Sequence, residues 1–290
     1  MFDSTIFLSS TLNGITMGAV YALIALGLTL VYGVLHIINF AHGACLMIAL
    51  YGVYALWVLP GVDPYAALPI MIGLMFVLGY LLQRFVINRA GHTKDERVLL
   101  LTLGLSIVLE NLALIFFHSD TRVVETSYSL QTIQLGQVML SAPKFFAFWG
   151  ALGVSAMMLG IMKWTNLGRA IRAVAKERTG AKLMGIDVEH VYAMSFGIGL
   201  ACLGAAACFL LPAYYVNPSV GNGFIFVSFT IVVLGGMGSF VGALLGGLLI
   251  GVIESLGGLY LGESLGQVGI FIVFVSFLIF RPQGMFGSKA

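Results

Sequence analysis

The stretch Ile37-Ile38-Asn39-Phe40-Ala41-His42-Gly43 lies inside a region, from Asp3 to Asp63, with no Asp, Glu, Lys or Arg between its ends. A region of that kind is suited to hydrocarbon. At its centre, however, an amide, an imidazole and a helix-breaking glycine sit close together. Asn39 and His42 are three apart, which would put both on one face of a helical turn. Polar groups and irregular backbone are tolerated at membrane depth only where they face protein or a water-filled cavity. A polar interruption of an apolar span therefore points to a transport pathway. The plainer alternative is a short loop between two helices that holds one His and one Asn.

Composition decides the class. The chain has 290 residues, of which 60% are hydrophobic and 9% charged, and its mean hydropathy is +1.03. Soluble domains carry about 25% charged residues, so this chain cannot cover a water-facing surface. It reads as an all-α, polytopic membrane protein. The net charge of +2 gives no reason to expect nucleic acid, because the bases are segregated into particular loops. Cys45, Cys202 and Cys208 all lie in apolar runs and read as small buried residues, not as disulfides or metal ligands. Met1-Phe2-Asp3-Ser4 lacks a basic n-region and a small-residue cleavage site, so the first span is expected to be its own insertion signal.

The first apolar run covers about Ile6 to Ile38 and includes Gly14-x-x-x-Gly18, a pattern that permits close helix approach. A second span runs from about Ala44 to Leu59 and stops at the turn-forming Pro60-Gly61-Val62-Asp63-Pro64. A third follows from about Tyr65 to Ile87. The loop at about 84–97 holds Arg84, Arg89, His92, Lys94 and Arg97, which makes it cytoplasmic by the positive-inside rule. The next span, Val98 to Phe117, contains Glu110-Asn111. That carboxylate is either functional or able to reach the interface or a partner helix. The stretch at about 118–143 is polar and poor in bases, so it is placed outside, and its alternation suggests a small extended or hairpin element.

A span from about Phe145 to Trp164 leads into the most basic part of the chain, at about 163–190. There small residues alternate with Lys163, Arg169, Arg172, Lys176, Arg178 and Lys182, which predicts one or two short helices outside the membrane against which something packs. The alternative is a positive-inside anchor and nothing more. The chain then crosses from about Val191 to Leu211 and turns through Pro212, Asn217 and Pro218. Next comes the apolar run Phe224–Leu234, which stops at Gly235-Gly236-Met237-Gly238-Ser239 and resumes as Val241–Leu261. No Lys follows these glycines and no strand precedes them, so they are not a phosphate loop. They form a second interruption, and Thr29-Leu-Val-Tyr-Gly33 before the first resembles Thr230-Ile-Val-Val-Leu234 before this one. Two interruptions in corresponding places suggest two broken-helix repeats around a central pathway. A last span, about Val268 to Phe280, ends at Arg281-Pro282-Gln283-Gly284.

Several of these motifs together resemble a known family. Gly27-Leu-Thr-Leu-Val-Tyr-Gly33, Ile38-Asn-Phe-Ala-His-Gly43, Gly168-Arg-Ala-x-Arg-Ala and Val233-Leu-Gly-Gly-Met-Gly-Ser239 with Gly242-Ala243 are similar to the permease subunits of high-affinity branched-chain amino acid ABC transporters. The likeness runs in order from about Leu12 to Gly284. It implies an importer with a second homologous permease subunit, two ATP-binding cassette subunits in the cytoplasm and a periplasmic or lipid-anchored binding protein, in the cell inner membrane. It also implies that a coupling helix lies within Arg169–Gly185, with Gly168, Arg169, Arg172, Ala173, Ala175, Lys176 and Gly185 in the docking loop. Two residues depart from the family pattern. Ala44 stands where many members carry an acid, and Glu110 where an amide is more usual.

The resulting expectation is one permease domain over residues 1–290 with about eight spans, an extracytoplasmic N-terminus and no nucleotide-binding motif of its own. It would bind no metal or cofactor, with ATP used on the partner subunits. The pathway residues would be Asn39, His42, Gly43, Glu110, Asn111, Gly235, Gly236, Gly238 and Ser239, with the two interruptions sharing a partly hydrated interior. Urea and short-chain amide importers share this permease type and are the alternative on substrate. An ion-coupled secondary transporter would also show interruptions and a membrane carboxylate. An intramembrane hydrolase would need a nucleophile and a base, for which Ser239 and His42 are the one pair to consider.

Overall fold

The computed structural model describes residues 4–90, 95–135, 138–262, 265–281 and 283–286. His92 and Lys94 of the first basic loop, and Pro282 after the last span, lie outside them. The described residues form α1 (Ser4–Leu35), α2 (His42–Val58), α3 (Leu68–Leu81), α4 (Asp95–Phe117), α5 (Ala142–Trp164), α6 (Asn166–Lys176), α7 (Arg178–Leu183), α8 (Val188–Leu210), α9 (Val220–Gly235), α10 (Phe240–Leu261) and α11 (Gly266–Phe280). A π-helical segment, Leu82–Ile87, prolongs α3. A hairpin of β1 (Thr132–Leu135) and β2 (Val138–Ser141) occupies the polar stretch before α5, pairing Thr132 with Ser141.

Six described helices are long and apolar enough to cross a membrane: Thr5–Leu35, Leu68–Ile87, Glu96–Phe117, Ala142–Trp164, Val188–Ala213 and Phe240–Leu261. Three more, α2, α9 and α11, are apolar but shorter. Where about eight spans were expected, the described residues hold six long and three shorter apolar helices. The chain is an all-α, multi-pass membrane protein.

Two helices form the centre. In the most apolar windows of α1 and α8, 83% of residues are buried, against 17–33% in the other four long helices. Those outer helices turn large apolar side chains outward, including Leu100, Ile115, Phe116 and Met157. Helices cannot associate in lipid by a hydrophobic driving force, so close backbone approach must do much of the work. The α1–α10 seam shows how. Gly14 and Gly18 of α1 lie against Gly251 and Gly247 of α10, where an added Cβ at any of the four would come within 2.8 Å of backbone atoms. The order of these contacts makes the two helices antiparallel. Likewise α3 meets α8 with Gly79 on Gly197 and Gly204 on Met71.

One end of the molecule, the basic end, carries Lys163, α6, α7 and Arg281. The opposite, hairpin end carries β1–β2. There Arg122 pairs backbone to backbone with Val216, both bonds 2.9 Å. Its guanidinium lies over the rings of Tyr54 and Phe117 at 5.4 and 5.6 Å.

Candidate translocation site

Both interruptions are present, and both reverse the chain. The first begins where His36, with φ of 56°, ends α1 in the left-handed region. Its amide still bonds Tyr32 O at 2.7 Å. Seven residues beyond the end of α1, the His42 imidazole Nε2 lies 3.0 Å from Ile24 O. Ile24 is eleven residues back from Leu35, or about 16 Å of helix, which six extended residues can just span. The segment 36–41 is therefore re-entrant and runs back along α1. Because a carbonyl only accepts, His42 Nε2 carries the proton. Nδ1 is buried without a partner among the described residues.

Asn39 and His42 do not share a helical face, which corrects the sequence expectation. His42 is the first residue of α2, whereas Asn39 lies in the turn before it and its Oδ1 accepts from Ala41 N at 3.0 Å. Phe40 N is satisfied by Thr102 Oγ1 of α4, 3.3 Å away. Asn39 lines a small space with Gln83, Thr102, Ile87 and Phe196. In that space Asn39 Nδ2 and Gln83 Oε1 both lack partners. Gly43 faces Gly221 at the start of α9, where a Cβ would meet Gly221 O at 2.3 Å.

The second interruption is tighter. Gly236 and Gly238, at φ of 96° and 86°, turn the chain so that α10 returns antiparallel along α9. Gly235 packs on Gly242, leaving 2.4 Å for any Cβ, a distance only glycine can occupy. Ser239 caps α10, its Oγ accepting from Gly242 N at 3.1 Å. The freed carbonyls of Leu234 and Gly235 accept from the amides of Met285 and Phe286, at 2.8 and 3.1 Å, in the segment after α11.

The two interruptions approach one another at the basic end. The Cβ position of Gly238 is 3.6 Å from Gly33 Cα. Ile38 and Met237 line one cleft with Leu28, Tyr32, Phe229, Val232 and Val233. That cleft measures only about 10 Å³ and is lined mainly by apolar side chains. That cleft is too small to be the expected hydrated interior between the interruptions. Four of the freed backbone groups need no water, because Thr102, Asn39, Met285 and Phe286 bond Phe40 N, Ala41 N, Leu234 O and Gly235 O. Nor do Ser239 and His42 form a nucleophile and base, since His42 Nδ1, the nitrogen left to act as a base, has no hydrogen-bond partner among the described residues.

Glu110 is half-buried on α4 and accepts from Asn222 Nδ2 of α9 at 3.1 Å. Its neighbour Asn111 is exposed and bonds back to Ile107 O at 2.8 Å.

A larger open space lies elsewhere. A cavity of about 600 Å³ between α1, α5, α10 and α11 is lined by Ser10, Asn13, Met17, Lys144, Glu254 and Leu259, among others. Glu254 also lines a second cavity of about 180 Å³, with Tyr21, Tyr214, Tyr215, Asn217 and Gln267. The Tyr21 hydroxyl lies beside the Glu254 carboxyl. None of these was singled out from the sequence, although the signal was there. Glu254 is the one charged residue between Glu189 and Glu263, and an intramembrane carboxylate is a candidate by default.

At the basic end, α6 and α7 form an elbow on the surface. Thr165 caps α6, accepting from Gly168 N at 3.1 Å. Buried Gly168, Ile171 and Val174 make one face of α6. Gly168 sits on the carbonyls of Ile161 and Met162, too close for any side chain. Arg172 donates to Met162 O and Arg169 to Asn166 Oδ1. Arg169, Arg172, Ala173 and Lys176 are exposed, and Ala175 is half-buried. Gly185, at φ of 81°, ends the elbow just after Leu183 and Met184, which are 84% and 82% exposed.

Comparison with known proteins fits this architecture. Residues 10–280 match the family described as branched-chain amino acid transport system / permease component. The chain is 32% identical to the high-affinity branched-chain amino acid transport system permease protein BraD of Pseudomonas aeruginosa, over 97% of this chain and 96% of the relative. It is likewise 32% identical to the corresponding permease protein LivH of Escherichia coli, with the same coverage. A probable branched-chain amino acid transport permease protein LivH of Methanocaldococcus jannaschii is 28% identical over 91% of this chain and 88% of the relative. With its buried α1–α8 centre, its two re-entrant turns and this likeness along nearly its whole length, the chain belongs to the permease family of branched-chain amino acid transport systems.

Proposed function

We propose that this chain is the membrane-spanning subunit of an ATP-driven importer of branched-chain amino acids. The observation that carries the reading is the near-full-length likeness to relatives named for that transport. In the complete machine a binding protein delivers substrate at the hairpin end. A second, homologous permease subunit completes the pathway, and two ATP-binding cassette subunits sit at the basic end, which the positive-inside rule makes cytoplasmic. ATP is bound and hydrolysed on those subunits, and this chain needs no metal or cofactor of its own.

The elbow supports the docking part of this reading. Leu183 and Met184 are large, apolar and almost fully exposed, at a polar surface where such residues mark contact sites. The elbow is also wired into the centre of the fold. Gly168 bears on the end of α5, and Asp187 caps α8 by accepting from His190 N at 3.1 Å. Arg178 lies over the Tyr192 ring at 5.7 Å. A push on α6 and α7 thus reaches α8, which grips α1 where Gly199 meets Gly27.

The test is reconstitution of the complex in liposomes with its binding protein, followed by ATP-dependent uptake of labelled leucine. Leu183→Glu and Ala173→Glu should leave insertion intact while abolishing co-purification of the ATPase and uptake. Normal coupled uptake in both variants would refute the docking assignment. Uptake of urea or a short amide in place of leucine would refute the substrate.

A further inference from the structure

We propose that Glu254 recognises the ammonium group of the passing amino acid, with Asn217 and the rings of Tyr21, Tyr214 and Tyr215 completing the site. The apolar body and carboxylate of the molecule would lie in the adjoining larger cavity. The inference rests on the reading of this chain as an amino acid permease and adds the residues that distinguish an amine from a neutral amide.

Four observations carry it. First, Glu254 lines both cavities and so stands where they meet. Its polar neighbour is the Tyr21 hydroxyl, and no Lys or Arg pairs with it among the described residues. A carboxylate at membrane depth is costly without a counter-charge, and a cationic group on the substrate supplies one transiently.

Second, the smaller cavity presents a further acceptor. Asn217 lines it, and Asn217 Oδ1 is buried with no hydrogen-bond partner. An oxygen acceptor left in that state calls for a donor, and an ammonium group offers three.

Third, the walls are aromatic. Tyr21 meets Phe224 edge-on with ring centroids 5.9 Å apart, Phe224 meets Tyr214 at 5.6 Å, and Tyr214 stacks on Tyr215 at 4.5 Å. Ring faces attract ammonium groups, most strongly where water is excluded.

Fourth, the larger cavity suits the rest of the molecule. Its volume of about 600 Å³ is within the range of small-molecule sites. Met17, Leu259, Gly14, Gly251, Gly258 and Gly266 give it apolar walls, and Lys144 lines it as well. Lys144 has no ion-pair or hydrogen-bond partner among the described residues, so its ammonium is free to face a carboxylate. Urea and simple amides offer neither charge.

The test uses the assembled complex in nanodiscs, with Leu259→Cys in the larger cavity as a reporter. The buried native cysteines give the background rate of labelling by N-ethylmaleimide. Four molecules share one branched skeleton: leucine, isoamylamine (ammonium only), 4-methylpentanoate (carboxylate only) and 4-methylpentanamide (neither charge). Leucine at about four times its Kd should slow labelling about five-fold, since the free fraction is 1/(1 + [L]/Kd). Isoamylamine should protect as well, whereas the amide should not. Glu254→Gln should abolish the protection given by both amines, and Glu254→Asp should keep the preference for amines at weaker affinity. Equal protection by the amide, or undiminished protection in Glu254→Gln, would overturn the inference. So would protection by sodium ions alone, which would assign the carboxylate to an inorganic cation. If the complex imports urea and not leucine, the functional reading fails, and the amine preference of wild-type protection still decides this inference.

Discussion

Gly251→Ala should damage the fold far more than its single methyl group suggests. The added Cβ would lie 2.3 Å from Gly14 O, 2.5 Å from Gly18 Cα and 2.6 Å from Gly18 N. All three are backbone atoms of α1, so no side chain can rotate out of the way. Carbon contacts are comfortable at about 3.5–4.0 Å, so the seam must open by about 1 Å. Overpacking of this sort costs about 1–3 kcal/mol, and the rigid neighbours place it at the upper end. One turn on, Ser255 Oγ donates to Ser10 O at 2.7 Å. Losing that bond adds about 1 kcal/mol. Alanine returns about 1 kcal/mol of helix propensity, which leaves a net loss of about 2–3 kcal/mol. Gly73, Gly104 and Gly153 are the controls, because nothing lies within 4 Å of a Cβ built on any of them. Alanine there changes propensity alone and should stabilise by up to about 1 kcal/mol. The assay is the thermal midpoint of the purified protein in detergent. At about 2–4 °C per kcal/mol, Gly251→Ala should fall by about 5 °C or more while the controls hold or rise. A midpoint for Gly251→Ala at or above wild type, or equal losses in the controls, would refute the backbone-seam argument.

His42→Leu removes the donor to Ile24 O and should cost about 1 kcal/mol, whereas His42→Asn keeps an amide donor and should cost less. Thermal midpoints and leucine uptake that rank Leu at or above Asn would rule out a hydrogen-bonding role. Tyr128→Phe removes the hydroxyl that bonds both Asp63 oxygens, at 3.0 and 2.9 Å, and should destabilise by about 1.5 kcal/mol. Burial first, then the bond to Asp63, raises the Tyr128 pKa above its ordinary 10. The unfolded chain therefore loses that proton before the folded one does, so the stabilisation is complete below about pH 10 and is lost as pH rises beyond it. An alkaline melting profile identical in wild type and Tyr128→Phe would contradict that link.

Much of the fold was legible because lipid imposes few solutions. Apolar runs bounded by Pro60-Gly61, Gly235–Ser239 and basic clusters located the helices within a few residues, and the alternation of small residues with bases after Trp164 located α6 and α7. Two features were hidden. The extent of re-entry after α1 depends on where His42 finds a carbonyl, and no local pattern encodes that Ile24 supplies it. The partner of Gly14-x-x-x-Gly18 was present in the sequence as Gly247-x-x-x-Gly251, but only the antiparallel packing of α1 on α10 shows that the two patterns face each other.

The candidate site was harder to read, because sequence reveals a polar residue at depth without revealing what satisfies it. Asn39 and His42 stand out in an uncharged run, yet their oxygen and Nε2 are bound to Ala41 N and Ile24 O, and Glu110 is engaged with Asn222. The unpartnered Asn39 Nδ2 lies by a space of about 10 Å³, too small for a substrate. Glu254 attracts less notice because Ser255, Gly257 and Gly258 surround it with residues that read as helix packing. It is nonetheless the carboxylate that lines the 600 Å³ cavity and the tyrosine-lined space beside it. The separation follows from energetics. A polar group whose bonds are made within the protein has already recovered its desolvation cost and has little left to offer a ligand. A charge held by one hydroxyl beside open volume has not. Among the intramembrane polar groups of this chain, the distinction that matters for recognition is therefore unspent hydrogen-bonding capacity next to space, and that is a property of the packed structure.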